Sequence, residues 1–271
     1  MAISVVVVTY NRPKEVKKAV ESLLNQSVKP FEIVIIDNGS TLPLSMKVDS
    51  PFVKQVRFDK EIGISNARNY GICIAKGEYV AFIDDDCIAS RNWLEEIQKG
   101  IRTGAEVLGG PLRPRFGAKP PKWWKEKNLG YFVGVGNAEK GEIWGGNMAF
   151  EKKIFNKIGV FNPKIGPRKG KLLKGEDSFL IAKAKAQCKV LFLPNAIVFH
   201  TVGPERLTLS YIIRWAYNSG KSQKIAFGPN PLAFYRFLKV TLEWLNPFMA
   251  SDKSGRILRV AIMAEQVGTL I

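Results

Sequence analysis

Tyr79-Val80-Ala81-Phe82-Ile83-Asp84-Asp85-Asp86 is a continuous apolar run that stops at three consecutive carboxylates. It is too short for a buried helix, and the unbroken apolarity marks a strand covered on both faces. The same grammar occurs twice nearer the N-terminus. Ile3–Val8 ends in Thr9-Tyr10-Asn11-Arg12, and Ile33–Ile36 ends in Asp37-Asn38-Gly39-Ser40. Between these runs, Pro13 stands where a helix can begin, and Val16, Ala19, Val20, Leu23 and Leu24 share one face; a second helical stretch covers Ile64–Ala75. Strands alternating with helices over the first 110 residues predict a parallel sheet with helices on both faces. Its polar residues gather at the carboxyl ends of the strands, the edge at which such sheets bind ligands.

The chain has 271 residues and is 46% apolar, enough for one large or two small domains and incompatible with a disulfide-stapled miniprotein or a disordered tail. No period of the kind that marks repeat folds is present. The 41 Lys and Arg outnumber the 24 Asp and Glu, for a net charge of +17. Between Leu112 and Gly175 stand 15 basic and 4 acidic residues. Such a field attracts nucleic acid, anionic lipid head groups or a diphosphate, and composition alone does not choose among them. Cys73, Cys87 and Cys188 show no metal-binding or disulfide spacing and read as buried thiols in a reducing compartment. The apolar run before Thr9 is too short for a signal peptide, so the sequence is read as cytoplasmic.

No Gly-x-Gly-x-x-Gly follows the first strand, which argues against a dinucleotide held on a glycine turn. Ser219-Gly220-Lys221-Ser222 resembles half of a phosphate loop, but Trp215 occupies the place of its first glycine, and we set it aside. The triplet Asp84-Asp85-Asp86 is more informative. Adjacent carboxylates at the end of a buried strand repel one another, so a cation is expected among them, and hard oxygen donors suit Mg²⁺ or Mn²⁺. A helix N-cap ahead of Trp93-Leu94 is the simpler alternative, but it needs only one of the three.

Four segments, Ser4–Arg12, Ile33–Ser40, Gly63–Gly71 and Tyr79–Asp86, together resemble in order and spacing the nucleotide-sugar-binding half of family 2 glycosyltransferases. Gly145-Gly146-Asn147-Met148-Ala149-Phe150, Gly175-Glu176-Asp177 and the lone His200 resemble the acceptor half, so the likeness covers about residues 3 to 205. It implies a GT-A fold: an α/β, Rossmann-like mixed sheet flanked by helices over residues 1–205, with a helical C-terminal extension over 206–271.

Carried over residue by residue, the resemblance implies that Tyr10 stacks on the base, Thr9 and Asn11 shape its pocket, and Asp37 accepts from a uracil imide. Arg68 would brace the base-side carboxylate, and Asp84 and Asp85 would reach the ribose. Asp86 would hold the metal, with His200 completing the site. Asp177 matches the general base, at the start of a helix expected over Ser178–Gln187; in isolation, Glu176 and Asp177 would read as ordinary first-turn acids. Trp144, Gly145, Gly146, Asn147 and Glu176 are candidates for the donor and acceptor sugars. By composition, Arg168, Lys169, Lys171 and Lys174, interrupted by glycine, suit a lid over a diphosphate. His200 is expected just after a strand Ala196–Phe199.

Lys119-Pro120-Pro121-Lys122-Trp123-Trp124-Lys125-Glu126-Lys127 reads as an acceptor loop, as a membrane-interface anchor, or in part as core aromatics. The stretch 231–250 is aromatic-rich with Arg236, Lys239 and Glu243 on one face. It reads as an in-plane amphipathic helix or as a packing helix rather than a membrane span. The combined expectation is a metal-dependent, inverting hexosyltransferase using Mn²⁺ or Mg²⁺. It would move a sugar from a nucleoside diphosphate sugar, a UDP-sugar, to a saccharide or lipid-linked acceptor at the cytoplasmic membrane surface, with anionic lipid rather than nucleic acid as the peripheral partner. The rivals are a sugar-nucleotide nucleotidyltransferase and a non-enzymatic basic binding module.

Overall fold

The computed structural model describes residues 1–44, 50–168, 173–228, 230, 232–233 and 252–270. In chain order the elements of the first hundred residues are β1 (Ile3–Thr9), α1 (Pro13–Leu24), β2 (Glu32–Asp37), β3 (Val53–Arg57), α2 (Ile64–Ile74), β4 (Tyr79–Phe82), β5 (Cys87–Ala89) and α3 (Trp93–Arg102). Then follow β6 (Val107–Gly109), β7 (Leu112–Phe116), α4 (Glu126–Leu129), β8 (Met148–Glu151), α5 (Phe155–Ile158) and α6 (Glu176–Gln187). The chain continues through β9 (Val190–Phe192), β10 (Val198–Val202), α7 (Leu209–Phe227) and a further helix, Lys253–Leu270.

Two compact units are present. The first comprises Met1–Arg113, Asn137–Pro163 and Glu176–Thr201; the second comprises Pro114–Gly136, Lys164–Gly175 and Val202–Ile271.

A seven-stranded sheet of order β3-β2-β1-β4-β8-β6-β9 organises the first unit. β1 pairs in parallel with both β2 and β4, as the alternation of strands and helices predicts, and β2 pairs in parallel with β3, a strand the sequence reading did not name. β8 is inserted antiparallel between β4 and β6, so the sheet is mixed, in agreement with the GT-A expectation. Successive residues of each central strand enter opposite cores. Val5, Val7, Ile33, Ile35 and Ala81 pack with Val16, Val20 and Leu23 of α1 and with Trp93 and Ile97 of α3. Val6, Val34, Ile36, Val80 and Phe82 pack with Ala67 and Ile72 of α2 and with Leu180 and Ile181 of α6. Burying one such side chain is worth about 1.5–3 kcal/mol, so the apolar runs on β1, β2 and β4 leave little freedom of register.

Two boundaries depart from the sequence reading. Helix α6 begins at Glu176 rather than Ser178, placing Glu176 and Asp177 in its first turn. The strand expected to end at Phe199 is β10, Val198–Val202, so His200 lies within a strand and not after one. The reason is its antiparallel pairing with β5, in which His200 stands opposite Cys87.

In the second unit, Leu129 and Phe132 pack with Ile212 and Ala216 of α7 and with Ile257 and Ala261 of the helix Lys253–Leu270. Trp123 and Trp124 both pack against this cluster, the core-aromatic reading of that segment. The discarded phosphate-loop string lies within α7: Ser219 donates to Glu265 at 2.8 Å, and a Cβ on Gly220 would fall 1.9 Å from the Glu265 carbonyl oxygen. Gly220→Val is therefore expected to lower the stability of this unit by about 1–3 kcal/mol through steric separation of the two helices. Urea denaturation together with amide exchange over 209–227 checks this.

Candidate active site

The carboxyl ends of β1, β2 and β4 lie side by side in register, with Thr9 of β1 opposite Asp37 of β2. Beyond β4 the chain turns immediately into β5, which brings the acidic triplet to this edge. The three carboxylates are divided between two arginines. Arg12 Nη1 donates to Asp85 Oδ1 at 3.0 Å and to Asp86 Oδ2 at 2.9 Å. Arg68 Nη2 donates to Asp84 Oδ1 at 2.8 Å. Arg12 received no role in the sequence analysis. The signal was the repulsion within the triplet, which we assigned wholly to a metal although part of it is balanced by protein cations.

Asp85 is buried and accepts from the Thr9 hydroxyl at 2.7 Å. Burial, reinforced by the adjacent charge of Asp86, pushes its carboxyl well above the usual carboxylate range, while Arg12 and Thr9 pull it back down. Asp85 thus faces the chain interior, and Asp84 is the more exposed neighbour.

Arg68 was expected to brace the carboxylate at the base end. That role is corrected: its second donor, Nη1, binds Glu176 Oε1 at 2.8 Å, and the partner of Asp37 is Arg57 at 3.3 Å. Arg68 is buried on α2, midway between the end of β4 and the start of α6, so Asp84 and Glu176 are the anions it meets. Asp37 is fully buried, and its other oxygen accepts the Ser40 N–H at 2.9 Å, closing the turn after β2. Asn11, with φ of 56°, accepts from the Thr41 N–H at 2.7 Å, and Tyr10 beside it is half-buried.

Asp177 stands one residue beyond Glu176. Its Oδ2 accepts the Gly145 N–H at 2.6 Å and its Oδ1 the Ser178 N–H at 2.7 Å, so two backbone donors orient the carboxylate. A side chain at 145 is excluded, since a Cβ there would lie 2.9 Å from Asp177 Oδ2 and 3.0 Å from Arg68 Nη2. A Cβ at Gly146 would come within 3.1 Å of Asp84 Oδ2. The two glycines therefore let the backbone run against both carboxylates, and Trp144 packs at the edge of the core beside them.

Asn147 does not present its amide to a ligand, and its proposed sugar contact is corrected. Its Oδ1 accepts from Trp93 Nε1 at 2.8 Å, and Nδ2 donates to the carbonyls of Pro111 at 3.1 Å and Ala196 at 2.8 Å. The side chain is fully buried and ties three segments of the fold together.

His200 Nε2 lies 3.4 Å from Asp86 Oδ1, a separation set by the β5–β10 pairing and by the Thr201 N–H, which donates to the Asp86 carbonyl at 2.9 Å. A carboxylate and an imidazole converging in this way fit a divalent ion such as Mn²⁺. Of the lid candidates, Lys169 and Lys171 lie outside the described residues. Arg168 donates to the Lys164 carbonyl at 3.3 Å, and the Lys174 ammonium lies over the Trp215 ring at 5.3 Å; both belong to the second unit. The stretch 231–250 also lies outside the described residues except for Leu232 and Ala233. No helix among the described residues is long and apolar enough to cross a membrane.

The family model described as Glycosyl transferase family 2 matches residues 4–159. A glucosyl-dolichyl phosphate glucuronosyltransferase of Haloferax volcanii is 26% identical over 245 residues, spanning 83% of this chain and 77% of the relative. Among solved structures, a mannosyltransferase of Pyrobaculum calidifontis in complex with GDP-Man and Mn²⁺ has a TM-score of 0.63 at 15% identity, covering 97% of this chain and 85% of its own. GalNAc-T7 with UDP, GalNAc and Mn²⁺ has a TM-score of 0.64 at 19% identity, covering 95% of this chain and 53% of its own. At such identities these likenesses establish the GT-A fold alone.

Two substitutions separate support of the site from contact with a ligand. Arg68→Ala removes the buried ion pair with Glu176 and is expected to cost about 3–5 kcal/mol of stability. Asn147→Ala strands the Trp93 indole N–H and takes a donor from the Ala196 and Pro111 carbonyls, the latter still accepting the Val198 N–H, and should cost about 1–3 kcal/mol. Chemical denaturation of each variant checks both values.

Proposed function

The chain belongs to glycosyl transferase family 2 and is an inverting glycosyltransferase, and from that premise we propose that it is metal-dependent, takes a UDP-sugar as donor, and glycosylates a glycan or lipid-linked acceptor at the cytoplasmic membrane surface. One observation carries the reading. The Arg68 guanidinium joins Asp84, at the end of β4, to Glu176 in the first turn of α6, so the acidic strand end and the carboxylate of Asp177 belong to a single framework. A donor held at one end of that framework meets a base at the other. Family membership also sets aside the nucleotidyltransferase and the non-enzymatic binding module.

Thr9, Tyr10, Asn11 and Asp37, clustered at the ends of β1 and β2, form the base end of the donor site, with the more exposed Asp84 toward the ribose and the buried Asp85 supporting Thr9 and Arg12 from the interior side. Asp86 and His200 hold the divalent ion. When bound, such an ion neutralises charge on the departing diphosphate. By their charge, Arg168, Lys169, Lys171 and Lys174 would favour a bound diphosphate. Trp144, Gly145, Gly146 and Glu176 border the sugar.

In the transfer step, the acceptor hydroxyl attacks the anomeric carbon opposite the leaving group and its proton passes to Asp177. The bond from that carbon to the phosphate oxygen breaks, with its electron pair leaving on the nucleoside diphosphate. Single displacement with one base inverts the anomeric centre. The Gly145 and Ser178 N–H groups keep Asp177 from rotating away from the hydroxyl. The acceptor assignment draws support from the dolichyl phosphate-linked substrate in the name of the Haloferax relative and from the basic charge between Leu112 and Gly175.

The test is a thermal-shift screen of nucleoside diphosphates and their sugars, each with and without Mn²⁺, followed by transfer assays with the best donor. UDP-sugars should give the largest shift, Asp37→Ala should abolish the preference for uracil, and Asp86→Ala should abolish the added effect of Mn²⁺. Asp177→Asn should retain donor binding and lose about 10²–10⁴ in kcat. Full turnover by Asp177→Asn removes it as the base, and a GDP-sugar outranking every UDP-sugar overturns the donor assignment.

A further inference from the structure

We propose that Cys87 is a third ligand of the cation site, and that this site therefore takes thiophilic divalent cations, Zn²⁺ or Cd²⁺, in preference to Mn²⁺ and Mg²⁺. The proposal rests on the assignment of Asp86 and His200 as metal ligands and adds to it a donor that changes which ions bind.

The geometry follows from strand register. Cys87 opens β5, and β10 pairs with it so that His200 stands directly opposite. Opposed residues of an antiparallel pair project to the same face with their Cβ atoms about 4.5–5.5 Å apart, which brings imidazole and thiol together. Asp86 precedes Cys87, and its carboxylate folds back over the pair. Cys87 Sγ lies 3.9 Å from Asp86 Oδ1, the same oxygen that His200 Nε2 approaches to 3.4 Å. One ligand atom from each residue, carboxylate oxygen, sulfur and ring nitrogen, falls within 4.8 Å of the others. Arg12 binds Asp86 through the opposite oxygen, Oδ2, and so turns Oδ1 toward the sulfur and the ring.

The donor set decides the ion. An O,N pair completed by diphosphate oxygens accepts Mg²⁺ or Mn²⁺ readily, whereas thiolate adds a soft ligand that favours Zn²⁺ and its heavier congener Cd²⁺; Zn²⁺ also stands above Mn²⁺ in intrinsic affinity for such sites. On coordination the S–H bond of Cys87 breaks, its proton goes to the solvent buffer, and the sulfur electron pair bonds the metal; no oxidant or reductant takes part. Cys87 is almost fully buried with His200 beside it, so the ion lies against the sheet and meets solvent only on its outer side.

The probe is Cd²⁺ alone, titrated into protein carrying Cys73→Ser and Cys188→Ser so that Cys87 is the remaining thiol. Binding is read as thiolate-to-metal charge-transfer absorbance in the near ultraviolet. In parallel, Mn²⁺ binding is followed by loss of the free-ion paramagnetic resonance signal, with Zn²⁺ as competitor. Expected are one saturable absorbance band per chain, displacement of Mn²⁺ by Zn²⁺ at about tenfold or lower relative concentration, and loss of the band in Cys87→Ser with Mn²⁺ binding retained. His200→Gln, which keeps the thiol, should weaken Cd²⁺ binding by about 10–100-fold, the range found when even a supporting partner of a ligand is removed. Mn²⁺ binding without any Cd²⁺ band, or a band that persists in Cys87→Ser, overturns the role of Cys87 while leaving Asp86 and His200 as ligands. Failure of both ions to bind overturns the metal assignment as well.

Discussion

Three carboxylates at the end of one buried strand repel one another, and the site is arranged around relieving that repulsion. The chain supplies two guanidinium groups from different elements: Arg12 from the turn after β1, bridging Asp85 and Asp86, and Arg68 from α2, bridging Asp84 and Glu176. Arg68 forks between its two acids through Nη1 and Nη2, a geometry that a planar guanidinium satisfies and a lysine does not, whereas Arg12 serves both of its acids through Nη1. The two guanidinium charges thereby offset about half of the charge of these four acids before any ligand arrives. Each carboxylate also keeps a fixed orientation, with Asp84 toward α2, Asp85 inward onto Thr9, and Asp86 toward β10.

That division explains why adjacent residues of one type serve different ends. Asp85 is the most buried of the three and is pushed toward its neutral form by that burial, so its contribution lies in closing the loop through Thr9 and Arg12. Asp84, more exposed and tied to Arg68, transmits the position of β4 to α6. Asp86 projects onto the β5–β10 ribbon, where its neighbours are an imidazole and a thiol. The triplet lies between β4 and β5, where the chain turns, so its three consecutive acids face three environments.

Much of the fold could be read from the chain because its central strands are buried on both faces. For β1, β2 and β4 an uninterrupted apolar run ending in polar residues has few alternative readings. β3 escaped notice for the opposite reason: Val53-Lys54-Gln55-Val56-Arg57 is an edge strand, largely open to solvent, with too few apolar residues to declare itself. The antiparallel insertion of β8 and the pairing of β10 with β5 depend on contacts distant in sequence. His200 was accordingly recognised as a residue of interest but given the wrong local setting.

The site residues divide along similar lines. Those whose role depends on being at a strand end, Thr9, Asp37 and the triplet, lie where the alternation of strands and helices puts them. The misread ones are side chains whose partners come from afar. Asn147 stands among glycines beside a tryptophan, a composition that suits sugar contact, yet its amide is consumed by Trp93, Pro111 and Ala196, 54, 36 and 49 residues away. Arg68 meets Glu176 across 108 residues and Arg12 meets Asp86 across 74. Charge neutralisation has no sequence period, so the sequence displays an excess of acids without naming the basic residues that balance it. Asp177 was legible through its family motif, whereas the reason it holds a fixed orientation was not. Its second anchor is the backbone of Gly145, and what matters at that position is the absence of a side chain. The framework that orients the Asp177 carboxylate thus depends on glycine where a sequence reading looks for functional groups, and on arginines whose targets emerge only when the sheet has formed.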